Sequence, residues 1–335
     1  MTKTLSIIIP MYNSAPFIKK CIDSLILPDP LMEQIEILVV NDGSTDACEE
    51  LVKPYTRDYP ESVFLYNKEN GGHGSVINYA IPFCHGKYVK VLDADDWFQT
   101  RELEKLITCL QTEKPADLIL TPFLTFDLST QSYAAIGATN QAHRITMSQI
   151  IKHWSYCKRI CCFHGLTYRT EFYKKYAFML PEKVFYDDAF YCTLPAYMAK
   201  RITILPIPVY VYRIGDINQS VSVKSRVARI RHHEAVIEQM LKSFQKTSQE
   251  EQNEYYYRKT TTTLADYMIT ALLRFPNRRE GRTLAKKMLM KIKASDYCVY
   301  RHIYKKYVLL KAANLLKLSE QTFMKFMRMF DGVLR

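Results

Sequence analysis

Three carboxylates fall within four residues in the segment Val91-Leu92-Asp93-Ala94-Asp95-Asp96-Trp97. Acids packed so closely repel one another unless something positive sits among them. A hard divalent cation answers that need, because Mg²⁺ or Mn²⁺ takes one or two carboxylates and keeps further positions for substrate phosphates. The plainer alternative is a solvated acidic turn capping the next helix. A fourth acid, Asp42, stands in Val39-Val40-Asn41-Asp42-Gly43-Ser44-Thr45-Asp46. It is placed either to hydrogen-bond a base or ribose or to form an ordinary Asx turn. Asn70-Gly71-Gly72-His73-Gly74 lets backbone approach a ligand closely and leads into a helix N-terminus, which favours anions. Phe185-Tyr186-Asp187-Asp188-Ala189-Phe190 sets two acids among aromatic residues. A partly desolvated carboxylate there suits a general base for a hydroxyl, while surface acids at a helix start are the bland reading. Tyr210-Val211-Tyr212-Arg213, followed by Gln219-Ser220, offers a guanidinium to a diphosphate, or an ordinary ion-pair residue.

These segments need elements to bring them together. Short apolar runs at Leu5–Ile9, Ile35–Val40, Val63–Tyr66 and Tyr88–Leu92 read as strands covered on both faces. Helical stretches lie between them near 15–27, 46–57 and 74–84, the second capped by Asp46 with Glu49. This alternation predicts a parallel twisted sheet with helices on both faces. Ligands of such sheets bind beyond the carboxyl ends of the strands. Those ends carry Pro10–Asn13, Asn41–Ser44, Asn67–Gly74 and Asp93–Asp96, so four polar or glycine-rich clusters converge on one edge. A helix over 100–113 and a strand with its turn over 117–127 follow. Ile202–Ile207 and Val209–Tyr212 read as short strands split by prolines. From about 224 the chain turns helical, with breaks near Pro276-Asn277 and Ala294–Asp296. The expected division is 1–222 and 223–335.

Taken in order, six segments resemble the family 2 glycosyltransferases with the GT-A fold. They are SIIIPMYN (6–13), VVNDGSTD (39–46), NGGHGSVIN (70–78), VLDADDWF (91–98), YDDAFY (186–191) and YVYR with a later Ser (210–220). The resemblance implies a nucleotide-diphosphate donor, most simply a UDP-sugar, and a hydroxyl acceptor on a carbohydrate or lipid-linked glycan. It implies inversion at the sugar carbon and a role in cell-surface polysaccharide or glycoconjugate synthesis. Residue by residue, Pro10, Tyr12 and Asn13 match the segment bordering the nucleotide, and Asp42 the acid that binds the base. Asn70, Gly71 and Gly72 match a donor-side turn. Asp93 and Ala94 match the start of the DxD-type motif near the ribose and diphosphate. Asp95 matches its metal-binding acid, with Asp96 a second, for Mn²⁺ or Mg²⁺. Asp188 matches the catalytic base, and Asp187 stands where the family has a Glu. Arg213 matches the late loop that closes over the donor. A glycosyltransferase-like fold kept as an inactive scaffold or partner subunit is the alternative. The retained Asp42, Asp93, Asp95 and Asp188 argue against it.

Composition excludes other classes. A dinucleotide oxidoreductase needs GxGxxG after the first strand, and here that turn is Pro10-Met11-Tyr12-Asn13-Ser14. Nine cysteines with no CxxC imply reduced thiols and no zinc site. The first apolar run is too short for a signal or membrane segment, and no run of about 18 apolar residues that could span a bilayer occurs, so a cytoplasmic protein is expected. The net charge of +12 has one source: residues 274–335 hold 16 Lys and Arg against four acids, and the rest is balanced. Phe323, Phe326, Met327 and Phe330, interspersed with Lys317, Lys325, Arg328 and Arg335, form either a basic amphipathic helix for an anionic membrane surface or a core-packing helix with a solvated face. With a membrane contact over 299–335, the protein would sit peripherally at the inner face. No nucleic-acid motif accompanies the charge, and oligomeric state, homo-oligomers included, stays open.

Overall fold

The structure is a computed structural model that describes residues 3–112, 114–139, 141–216 and 222–330. It forms two compact units, 1–216 and 217–335. The division falls a few residues before the expected 222. Of the expected closing segment 213–222, residues 217–221, with Gln219 and Ser220, lie outside the described residues, as do Arg335 and the side chains of Arg328 and Phe330.

The first unit is built on an eight-stranded sheet. Its strands β1 (Leu5–Met11), β2 (Ile35–Asn41), β3 (Val63–Asn67) and β4 (Tyr88–Val91) run parallel in the order β3-β2-β1-β4. All seven residues of β2 are buried, as expected for a strand covered on both faces. Side-chain alternation divides the core. Leu5, Ile7, Ile9 and Met11 pack with residues of α1 (Ile18–Asp23), α2 (Cys48–Asp58) and α4 (Thr100–Thr112). Between α2 and α4 in the chain, α3 (His73–Ala80) lies against β1 and β2 and buries Val76, Ile77 and Ala80 outside that cluster. Helices therefore cover both faces. In α4, Leu103, Leu106, Ile107 and Leu110 make the buried stripe, at the i, i+3, i+4, i+7 spacing of an amphipathic helix.

Beyond β4 the sheet turns mixed. A two-residue strand β5 (Trp97–Phe98) leaves it, and then come β6 (Leu118–Leu120), β7 (Phe123–Asp127), β8 (Ser132–Ile136), β9 (His143–Ile145), β10 (Leu166–Arg169), β11 (Ile202–Ile204) and β12 (Tyr210–Ile214). The large sheet continues β4-β10-β6-β11-β9, with β10 antiparallel to both its neighbours. The order β5-β12-β7-β8 makes a second, four-stranded sheet that the sequence reading did not foresee. The single strand expected over 117–127 is two strands in different sheets. Pro122 sits between them and has no N–H to carry a ladder through. The expected cap of Asp46 with Glu49 does not form. Asp46 instead accepts from the Ala15 N–H at 2.8 Å and the Cys48 N–H at 3.2 Å, tying the start of α2 to the turn after β1.

The second unit is helical: Val223–Ala228, Ile230–Ser243, Glu250–Ile269 continued by a π-helical turn at Thr270–Arg274, Arg278–Ser295, Tyr297–Leu315 and Glu320–Phe330. Both expected breaks are present and carry side-chain caps, Asn277 on the Arg279 and Glu280 N–H groups and Asp296 on those of Cys298 and Val299. Among the described residues no helix is long and apolar enough to cross a membrane.

Candidate active site

The carboxyl ends of the parallel strands meet as expected. Leaving β1, Asn13 adopts φ +48°, a conformation that Asn tolerates better than most residues. Its Oδ1 accepts from the Thr45 N–H at 2.8 Å, and its own N–H donates to Ser44 Oγ at 3.0 Å. Tyr12 and Asn13 are exposed and Pro10 is half-buried, so this turn faces solvent. Leaving β2, Asp42 is only 2% exposed. One of its oxygens accepts from Lys68 Nζ at 2.7 Å and the Gly71 N–H at 2.9 Å; the other accepts from the Gly72 N–H at 2.7 Å. The carboxylate expected to meet a base, and the glycine amides expected to meet a ligand, are thus bonded to each other. Asn70, exposed, ties the same turn down by donating to the Asp42 carbonyl at 2.8 Å. Gly72 has φ +84°, where a side chain would be strained.

His73, the first residue of α3, follows directly. Its Nδ1 lies 2.7 Å from Asp187 Oδ2, and its Nε2 lies 3.2 Å from Asp93 Oδ1 in an ion-pair contact off the N–H line. Burial alone would make the imidazole less basic, but Asp187 and Asp93 outweigh it and hold the pKa well above the ordinary value. A protonated ring therefore joins the end of β4 to the 186–188 segment. The preceding Tyr186 is held at φ +71°, and Asp187 is buried while Asp188 is exposed at the start of the helix Asp188–Tyr191.

The three acids after β4 have different surroundings. Asp93 and Asp95 are half-buried, and Ala94 between them is buried. Asp96 is 1% exposed. The Tyr210 hydroxyl donates to its Oδ2 at 2.6 Å and the Arg213 N–H to its Oδ1 at 2.8 Å, while Tyr210 Oη accepts from the Asp93 N–H at 3.2 Å. Both oxygens of Asp96 are taken up inside the protein, which differs from the expectation of a second metal ligand. Burial, then the Asp93 and Asp95 charges, hold its carboxyl well above the usual range. Burial and Asp93 also raise Asp95, against Arg213. The Arg213 guanidinium is 3.4 Å from Asp95 and 3.2 Å from Asp216, over the ring of Phe17 at 4.3 Å. The Tyr212 phenol is pushed up by burial and then by Asp96, Asp93, Asp95 and Asp188. One hydroxyl thus senses acids from two separate stretches of chain.

A divalent cation would meet hard oxygen donors at Asp93 and Asp95, where burial first and the Asp93 charge second raise the Asp95 carboxyl and a cation would offset both. Among the described residues no group of three His, Cys, Asp or Glu side chains forms a cage. Phosphate oxygens and water would have to complete the coordination, which is the habit of Mg²⁺ in phosphate sites. Two carboxylates therefore fit Mg²⁺ or Mn²⁺ as a partner shared with a diphosphate.

Several contributors escaped the sequence reading. His73 was read only as part of a glycine-rich turn, although a lone ionisable side chain at a helix start beside three glycines was its signal. Lys68 gave none. Lys90, on β4, is fully buried and donates to the carbonyls of His164 at 2.8 Å and Leu166 at 3.0 Å. His164 stacks on Tyr212 at 4.1 Å, and burial takes its pKa down to about 4.

Comparison with known proteins agrees with this architecture. The model of glycosyl transferase family 2 matches residues 6–177, just over half of the chain. The chain belongs to glycosyl transferase family 2, and its fold is of the GT-A type. The uncharacterized glycosyltransferase EpsJ of Bacillus subtilis is 27% identical over 248 residues, 73% of this chain and 69% of that protein. The uncharacterized glycosyltransferase MG025 homolog of Mycoplasma pneumoniae is 39% identical over 103 residues, and there the chain spans only 34% of the relative's length. Among solved structures, S. aureus TarS 1-349 in complex with UDP-GlcNAc superposes with a TM-score of 0.62 at 17% identity, covering 94% of this chain and 92% of that 1-349 fragment. The mannosyltransferase PcManGT from Pyrobaculum calidifontis, in complex with GDP-Man and Mn²⁺, gives 0.51 at 16% identity, over 94% and 88% of the two chains.

Proposed function

We propose that the protein is an inverting glycosyltransferase that moves a sugar from a nucleotide-diphosphate donor, a UDP-sugar, to a hydroxyl acceptor. The observation that carries this reading is His73, whose two ring nitrogens face Asp93 on one side and Asp187 on the other. It holds the acid turn beside the 187–188 pair. Asp188 is the base: it is exposed, while Asp187 is buried and engaged by His73. Asp188 takes the proton of the acceptor hydroxyl as the oxygen attacks the sugar carbon from the face opposite the diphosphate. Asp187, through His73, is a positioning residue. Asp93 and Asp95 would hold Mn²⁺ or Mg²⁺, which when bound neutralises charge on the leaving diphosphate. Asp96 fixes that turn from beneath. Arg213 offers the diphosphate a second cation. Asp42 supports the base-side wall by clamping Gly71 and Gly72. UDP-GlcNAc in TarS and GDP-Man with Mn²⁺ in PcManGT support a nucleotide-sugar donor and a metal. The acceptor we favour is a surface glycan or its lipid-linked precursor, reached from the cytoplasmic side.

The test is Asp188→Asn assayed against a panel of nucleotide sugars in Mn²⁺ buffer. Donor-induced stabilisation should persist, since a bound donor stabilises the native state. Nucleotide release should fall by about 10²–10⁴, the usual contribution of a general base. Near-normal turnover in the variant would remove Asp188 from the role, and no stabilisation of the wild type by any nucleotide sugar would remove the donor class.

A further inference from the structure

We infer that the outward face of the helix Tyr297–Leu315 is a membrane-contact surface that seats on an anionic lipid headgroup layer. Among the described residues the helix packs through one side. Val299, Ile303, Tyr307, Leu310 and Asn314 are buried, spaced as a single helical stripe. It packs on Glu250–Ile269, Thr270–Arg274 and Arg278–Ser295 of the same unit.

The other side presents large apolar groups to water. Tyr304 and Val308 are 44% exposed, Leu309 41%, Leu315 59% and Leu316 71%. Apolar residues scattered singly on a surface need no explanation, but a run of them on the face turned from the core marks an interaction site. Tyr297, 60% exposed, begins a ladder of rings: Tyr297 to Tyr300 at 5.6 Å and Tyr300 to Tyr304 at 5.3 Å. Phenol side chains, apolar in body and polar at the tip, favour the level of lipid headgroups.

The same face carries cations and no acids. Residues 297–319 contain five Lys and Arg and neither Asp nor Glu. Arg301, Lys305, Lys311 and Lys317 are exposed. At 3.6 residues per turn, Arg301, Lys305, Val308, Leu315 and Leu316 share an arc of about 100°, so charge and apolar surface are interleaved. That pattern decides the occupant. A second copy of the chain would bring the same cations against themselves, because a two-fold interface pairs identical patches. A nucleic acid would satisfy the charge and leave Val308, Leu315 and Leu316 in water. An anionic bilayer takes both, with apolar side chains entering between headgroups and Lys and Arg remaining among the phosphates.

The sequence reading expected the contact over 299–335 with an apolar stripe at 323–330; Phe323 of that stripe is buried at 6% exposure and Phe326 is 53% exposed, and most of the helix Tyr297–Leu315 lies within the same range. This inference stands apart from the donor chemistry and is tested without any sugar.

The experiment is flotation of the full chain with phosphatidylcholine vesicles, alone or mixed with phosphatidylglycerol, at low and high salt. The wild type should float with the mixed vesicles, much less with the neutral ones, and less again as salt rises. Lys305→Glu combined with Lys311→Glu should weaken partitioning at least tenfold with an unchanged thermal melt. A second variant, Leu315→Ser with Leu316→Ser, should weaken it severalfold without changing the dependence on salt. Equal recovery with both kinds of vesicle would overturn the proposal. So would charge-reversed protein floating like wild type, capture by a DNA duplex without vesicle binding, or self-association that both variants abolish in place of flotation.

Discussion

Lys90 is the residue whose burial has the clearest thermodynamic consequence. It lies fully buried on β4 with two backbone carbonyls as partners. Burial lowers its pKa from 10.5 to about 7, against a smaller opposing pull from Cys162. In the unfolded chain the amine keeps its proton up to its ordinary value; in the folded chain it loses it near 7. Between those limits the unfolded state binds more protons, so stability rises with pH, by up to ~1.4 kcal/mol per unit. We expect the Tm of the wild type to gain on that of Lys90→Met as pH goes from 7 to 9, measured by circular dichroism. Parallel curves would mean that the amine stays charged. At this scale the acids were legible because they cluster, and Asp93, Asp95, Asp187 and Asp188 do gather. The division of labour among them was not legible, because it depends on burial. Asp96 sits under a tyrosine hydroxyl and Asp187 under an imidazole, each contributed by a distant part of the chain.

At the scale of elements, the approach of α3 to the 180–187 segment sets the width of the site. Gly74 makes it possible: a Cβ there would meet the Pro181 carbonyl oxygen at 2.4 Å, Leu180 Cβ at 3.0 Å and Asp187 Oδ2 at 3.2 Å. Gly74→Ala should therefore push Asp187 away from His73. We expect about 1–3 kcal/mol of destabilisation, the usual cost of overpacking, in urea titration, and a larger fall in turnover than in donor binding. Unchanged turnover would show that the spacing is not critical. The parallel strands β1 to β4 and α4 could be read ahead of the structure because their apolar runs are strong and local. The sheet β5-β12-β7-β8 could not, since a two-residue strand has no periodicity and its one partner, β12, lies more than a hundred residues away. Pro122 was the available clue that 117–127 is not one strand.

At the scale of the molecule, stability rests on apolar burial and helix packing, without cross-links. All nine cysteines are free thiols, six of them buried within the first unit and Cys298 exposed. Thermal unfolding should be the same with and without dithiothreitol, and a lowered Tm in reductant would reveal a disulfide in solution. The helical second unit and both its breaks were foreseeable from composition and proline placement, whereas the outward turn of Leu315 and Leu316 required coordinates. One carboxylate links the two sheets of the first unit. Asp96 follows the strand β4 of the large sheet, yet it is gripped by Tyr210 and Arg213 of β12 in the small one. It works as a dowel driven through both sheets. Loops hung on such a joint can shift while the joint itself stays put, and a lineage could vary the rim of the sheets without rebuilding their junction.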